Sequence, residues 1–194
     1  MKRALRWMLG VGAVAALAWW LWPTAQAVLK PAVAAPGAAL DSLNGVVVYN
    51  NGGFGAKHGR HVVDGYNVGL KYQCVEYVKR YYLERFGHRM PNSYGHAKDF
   101  FDSTLADGAV NEARALLQFR NGSSNMPAAE DLLVLGPWGG NPYGHVAIIS
   151  RVGDGEVEVI QQNTHSTRNT YDLDLIDGRW RIGSERVLGW LRRR

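Results

Sequence analysis

The chain has 194 residues, room for about one domain, since single domains run to roughly 100 to 200 residues. Setting aside Lys2, Arg3 and Arg6 at the N-terminus takes the formal charge from +5 to +2, with Arg192, Arg193 and Arg194 crowded at the other end. That excludes the basic stripe with interleaved aromatics of a nucleic-acid binder. The single cysteine excludes an intramolecular disulfide, so its thiol needs another explanation.

Residues 1–27 have the order of a secretory signal peptide: basic residues, an apolar run from Trp7 to Trp22, then Ala25-Gln26-Ala27. The run is shorter than the ~20 residues that a helix needs to cross a bilayer, and an uncleaved signal anchor over residues 7–22 is the competing reading. Either predicts export, to the periplasm or cell envelope. Residues 28–42 are rich in Ala and Pro and read as a linker, which leaves residues 43–194 for the domain.

The domain is expected to open with the strand Val46-Val47-Val48-Tyr49, ended by the turn-like Asn50-Asn51-Gly52-Gly53, and to stay irregular up to Lys71. From Gln73 to Phe86 the residues Val75, Val78, Tyr81, Tyr82 and Phe86 recur at helical spacing before Gly87, which predicts an amphipathic helix with Cys74 in its first turn. Further helices are expected over His96–Leu105 and Asn111–Phe119. Strands follow at Asp131–Leu135, His145–Val152, Glu156–Gln162, near Trp180–Ile182, and at Val187–Leu191. Helices first and strands later predict an α+β domain, with the helix that carries Cys74 packed on an antiparallel sheet.

A thiol attacks as thiolate, and the free amides at a helix N-terminus favour the anion, so Cys74 is placed as a nucleophile. Gln73 can donate its side-chain amide to a developing oxyanion, with the backbone N–H of Cys74 as second donor. A buried structural cysteine is the bland alternative. Of the six histidines, His145 opens the apolar run Val146-Ala147-Ile148-Ile149, where a strand end holds a side chain rigidly beside a cleft. A three-residue Gly153-Asp154-Gly155 turn would pair Ala147 with Gln161 and His145 with Asn163, so that either amide can accept the imidazole Nδ1–H and leave Nε2 to the thiol. A two-residue turn would place Gln162 and Thr164 there instead. The spacing of His58 and His61 could suit two metal ligands, but no carboxylate or Cys cluster adjoins them. Trp138, Trp180 and Trp190 suit a cleft or a core.

These residues resemble the CHAP family, the cysteine- and histidine-dependent amidohydrolases and peptidases, and most closely the amidase domain of glutathionylspermidine synthetase/amidase and trypanothione synthetase. The resemblance rests on Gly45-Val46-Val47-Val48-Tyr49, the run Tyr72-Gln73-Cys74-Val75-Glu76-Tyr77-Val78-Lys79-Arg80, Gly144-His145-Val146-Ala147-Ile148-Ile149, Gln162-Asn163 and Leu188-Gly189-Trp190. It implies a papain-like α+β fold with Cys74 as nucleophile and His145 as base. Relatives usually carry Glu-Gln-Asn where this chain has Gln161-Gln162-Asn163, so the third catalytic carboxylate is replaced by an amide. Asp64-Gly65-Tyr66 looks like the region where some cell-wall relatives bind calcium, yet one aspartate is far from the six to eight oxygens that calcium takes. Calcium is not predicted, and the implied chemistry uses neither a metal nor an organic cofactor.

The implied activity is cysteine-dependent amide hydrolysis through a Cys74 thioester. The expected partner is a cell-wall peptide or a glutathione-polyamine amide, with no nucleic acid, and a membrane only if the N-terminal segment is retained as an anchor. Export favours peptidoglycan peptides, whereas the resemblance favours glutathionylspermidine. A non-catalytic module weakened at Gln161 is the rival from another class.

Overall fold

The computed structural model describes residues 34–53 and 55–194, so the signal segment over 1–27 and residues 28–33 of the linker lie outside the described residues. Strands β1 (Ala39–Leu43) and β2 (Val46–Tyr49) form one antiparallel hairpin, and β3 (Arg60–Val63) and β4 (Tyr66–Leu70) another. Helix α1 spans Cys74–Phe86 and ends at Gly87, whose φ of 65° lets its N–H reach the Leu83 carbonyl at 2.8 Å. A 3-10 turn follows at Ala97–Phe100, then β5 (Val110–Asn111), β6 (Leu116–Arg120), β7 (Leu132–Leu135), β8 (His145–Gly153), β9 (Glu156–Ile160), β10 (Arg168–Ile176), β11 (Arg179–Ile182) and β12 (Val187–Arg192).

The last eight strands make one antiparallel sheet in the order β11-β10-β9-β8-β7-β12-β6-β5. Just past β6 the chain bonds back to β11: Gly122 N–H donates to Trp180 O at 2.8 Å and Trp180 N–H to Ser123 O at 2.7 Å. These two bonds form a single antiparallel bridge that ties the chain after β6 to the edge strand β11.

Burial on both faces explains the unbroken apolar runs of β7 and β8. Val134, Val146 and Ile148 pack under α1 against Tyr77, Val78, Tyr81 and Tyr82. Their alternates Leu133, Leu135, Ala147 and Ile149 pack with Trp190, Phe119, Val159 and Leu173 in a second core. Close approach of β12 to β6 requires Gly189, since a Cβ there would sit 1.9 Å from the Phe119 carbonyl oxygen. The result is the expected α+β arrangement, one helix on an antiparallel sheet.

Several boundaries differ from the sequence expectation. The helix expected over His96–Leu105 is only the short 3-10 turn, and the one expected over Asn111–Phe119 is the β5–β6 hairpin. Ala115 at φ 54° breaks any helix there, and Leu117 and Phe119 are held instead by pairing with Arg192 and Trp190 of β12. The stretch to Lys71 contains β3 and β4, and β1 begins inside the expected linker. Strand β10 gave no apolar signal because only Leu173 along it is buried.

Candidate active site

Hairpin β8–β9 turns through two residues, Asp154 and Gly155, at φ 55° and 75°, and Gly153 pairs with Glu156. Both central φ angles are positive, as a type I′ turn requires. That corrects the three-residue turn, and by itself it would have moved Gln161 away from His145. A bulge at Ser150 shifts the ladder back by one residue, so that Ile149 faces Val159 and Ile148 faces Ile160. Continued past Ile160, this register brings Gln161 to the face of His145.

His145 is buried, and its Nε2 lies 3.0 Å from Gln161 Oε1. The other end of that amide, Nε2, donates to Ser166 O at 3.1 Å. The atom that faces the imidazole is therefore an acceptor, and His145 carries its hydrogen on Nε2 with the Nδ1 lone pair free. This reverses the expected tautomer. Asn163, the other candidate orienter, does not lie in the ladder. At φ 64° it turns away, donates to Gln73 Oε1 at 2.6 Å and accepts from Asn51 Nδ2 at 2.8 Å.

Gly144 makes the entry to β8 possible. Its φ is 75°, and a Cβ would sit 2.6 Å from Leu135 O and 3.1 Å from Lys98 N. Lys98 N–H donates to Tyr143 O at 2.9 Å and Asn141 Nδ2 to Gly144 O at 2.9 Å, so the loop is tied on both sides.

Cys74 is the first residue of α1 and is partly exposed. The backbone amides of Val146, Val75 and Cys74 lie close enough to the sulfur to favour its anion. The Val146 contact places the thiol beside the residue that follows His145. Burial pushes the thiol pKa up despite those donors, so the lowering expected from the helix N-terminus does not prevail in the free protein. The neighbouring Gln73 spends one side-chain N–H on Ala56 O at 3.0 Å, which leaves its second N–H and the backbone N–H of Cys74 as donors for an oxyanion.

The Gln-Gln-Asn run thus divides its work. Gln161 faces the imidazole, whereas Gln162 and Asn163 hold the segment that carries the thiol. Gln162 Nε2 donates to Glu76 Oε2 at 2.9 Å and to Gln73 O at 3.1 Å, and its Oε1 accepts the Tyr49 N–H at 2.7 Å. Glu76 Oε1 in turn binds Arg80 Nε at 2.7 Å and His61 Nδ1 at 2.9 Å. Sequence reasoning missed Gln162, Glu76 and Arg80 as supports; the i, i+4 spacing of Glu76 and Arg80 was the available signal. His61 bonds the Glu76 carboxylate, and His58 lies 2.9 Å from Asn51 O. Trp190 is core, Trp180 packs against the second core, and Trp138 is exposed.

Burial holds the His145 pKa down at about 4, opposed by the Gln161 hydrogen bond and reinforced by the charge of Arg186. An ordinary histidine titrates near 6.5. Between those values the unfolded chain binds a proton here that the folded chain does not, so stability falls as pH drops through that window. The full difference is worth roughly 3 kcal/mol. Urea unfolding at pH 7.5 and 4.5 is expected to show the unaltered protein losing about 2 to 3 kcal/mol more than His145→Gln; equal losses would refute the assignment.

The CHAP domain family model matches residues 64–163, just over half of the chain, and spans Cys74, His145 and the Gln-Gln-Asn run. The chain belongs to the CHAP family. Within it, this CHAP domain is 32% identical over 145 residues to trypanothione synthetase of Crithidia fasciculata, covering 68% of this chain and 22% of that protein. It is 33% identical over 106 residues to the bifunctional glutathionylspermidine synthetase/amidase of Escherichia coli (strain K12), covering 54% and 17%. The chain therefore spans about a fifth of these relatives. Among solved structures, the endolysin LysIME-EF1 is 21% identical, with a TM-score of 0.36 over 71% of this chain and 58% of that one. The papain-like α+β class of CHAP domains agrees with helix α1 packed on an antiparallel sheet.

Proposed function

We propose that this CHAP domain is an exported cysteine amidase that hydrolyses amide bonds in peptidoglycan peptides. The observation that carries the reading is the His145–Gln161 pair: the amide holds Nε2–H and leaves Nδ1 unprotonated on the residue next to the thiol's Val146 contact. With both groups neutral at rest, His145 Nδ1 takes the Cys74 proton as sulfur attacks the carbonyl carbon. The S–C bond forms and the oxyanion meets the Cys74 backbone N–H and Gln73 Nε2. The C–N bond then breaks as Nδ1–H protonates the leaving amine. Water, deprotonated by Nδ1, hydrolyses the thioester, giving a carboxylic acid and restoring the thiol.

The basic and apolar N-terminal segment supports export, with residues 7–22 as the anchor if they are retained, and export supports the cell wall as substrate. A glutathione-polyamine amide is the second reading, favoured by the identity to the Escherichia coli synthetase/amidase. Residues 28–194 and their Cys74→Ala variant, assayed in parallel on purified peptidoglycan and on glutathionylspermidine, decide between them. New amines from peptidoglycan, lost in Cys74→Ala, are the expected result. Release from glutathionylspermidine alone would transfer the assignment. Release from neither would overturn the enzyme reading in favour of a binding module.

A further inference from the structure

His145 pairs with Leu135, and Leu135 pairs with Val187 on the far side of β7. Adjacent strands lie about 4.8 Å apart, which puts Val187 about 10 Å from His145. Arg186 precedes Val187 at this same end of the sheet, anchored by Gly136 N–H to Arg186 O at 2.7 Å. Its guanidinium carbon stands 4.7 Å from the centroid of the exposed Trp138 ring, and Trp138 belongs to the loop that leads into Gly144 and His145. An indole face holds a guanidinium in place without neutralising it. Among the described residues no Asp or Glu forms an ion pair with Arg186, nor with Lys98, a second exposed cation whose backbone bonds that loop at Tyr143.

A free cation at the same end of the sheet as a base that must become imidazolium is unfavourable, and its charge is felt at His145. An anion bound there would relieve that repulsion when substrate is present. We infer that Arg186, held on Trp138, is a specificity-determining residue that binds a carboxylate of the substrate. A guanidinium suits this task because its planar fork matches a carboxylate with two parallel hydrogen bonds. The inference rests on the reading of Cys74 and His145 as an amide-cleaving pair. Both substrate classes carry carboxylates, as wall-peptide α-carboxylates or as the glutamyl carboxylate of a glutathione conjugate.

The test is binding without turnover, in Cys74→Ala, followed by calorimetry. The probes are L-alanyl-γ-D-glutamyl-L-lysine, glutathionylspermidine, and the counterpart of each with carboxylates converted to carboxamides. At least one free-acid probe is expected to bind about tenfold or more tightly than its carboxamide, a gap of about 1.4 kcal/mol. Adding Arg186→Gln should erase that gap, and Arg186→Lys should keep part of it. The probe that shows the gap identifies the source of the carboxylate. Equal binding of acid and carboxamide, no binding of any probe, or a gap that survives Arg186→Gln would overturn the inference. An Arg186-dependent gap in a protein that cleaves neither substrate would sustain carboxylate recognition and overturn only the amidase reading.

Discussion

Exchanging Gln161 for glutamate is expected to speed alkylation of Cys74 at pH 7 by about tenfold or more, while lowering stability by about 1 kcal/mol. The amide accepts from His145 Nε2–H but brings no charge, so it orients the ring without favouring imidazolium. A carboxylate at 3.0 Å would raise the His145 pKa from about 4. Imidazolium beside the thiol then favours thiolate, and each pKa unit gained corresponds to a factor of about ten in the ionised fraction. The cost arises at the other end of the side chain, where the donor to Ser166 O is lost and an oxygen faces that carbonyl. Iodoacetamide kinetics against pH, with urea unfolding alongside, check both parts. An unchanged alkylation rate in a folded Gln161→Glu protein would show that the charge at this position does not control the thiol.

The second large effect is on folding. Glu76→Ala should cost about 3 to 5 kcal/mol, because it strands a buried guanidinium. Glu76 and Arg80 are both almost fully buried, and Arg80 also donates to Val47 O at 2.7 Å and lies over the Tyr49 ring at 4.8 Å. Loss of the carboxylate also releases His61 and Gln162, and Gln162 supports the Gln73 carbonyl just before the nucleophile. Replacing both members, as Glu76→Met with Arg80→Met, should cost less than Glu76→Ala alone, since no unpaired charge remains buried. Chemical denaturation of the three proteins tests this. A single-variant cost under about 1 kcal/mol, or a double variant worse than the single, would contradict it.

Local chemistry wrote some elements plainly into the chain. Helix α1 was legible because Val75, Val78, Tyr81 and Tyr82 repeat at the spacing of one helical face, and that face is the one buried. Strands β7, β8 and β12 showed as compact apolar runs. The Asn44-Gly45, Asp64-Gly65, Asp154-Gly155 and Asp177-Gly178 dipeptides all make two-residue turns with positive φ at both positions. Of these, only Asp154-Gly155 was read as a turn, and with one residue too many. Strand β6 was illegible as a strand because Leu116, Leu117 and Phe119 fit either period, and β12 settles the choice through long-range pairing.

By itself the sequence determined the α+β class, the helix that opens at Cys74 and the strand that opens at His145, because each follows from spacing within about a dozen residues. Tertiary structure alone decided which amide meets the imidazole. The two-residue turn and the bulge at Ser150 shift the register in opposite senses, and only their sum puts Gln161 beside His145. It also decided the burial of thiol and imidazole, and the ties of Gln162 and Asn163 to Gln73, which lies 89 and 90 positions away. Those properties depend on desolvation and hydrogen bonds between segments far apart in the chain, which no local pattern encodes.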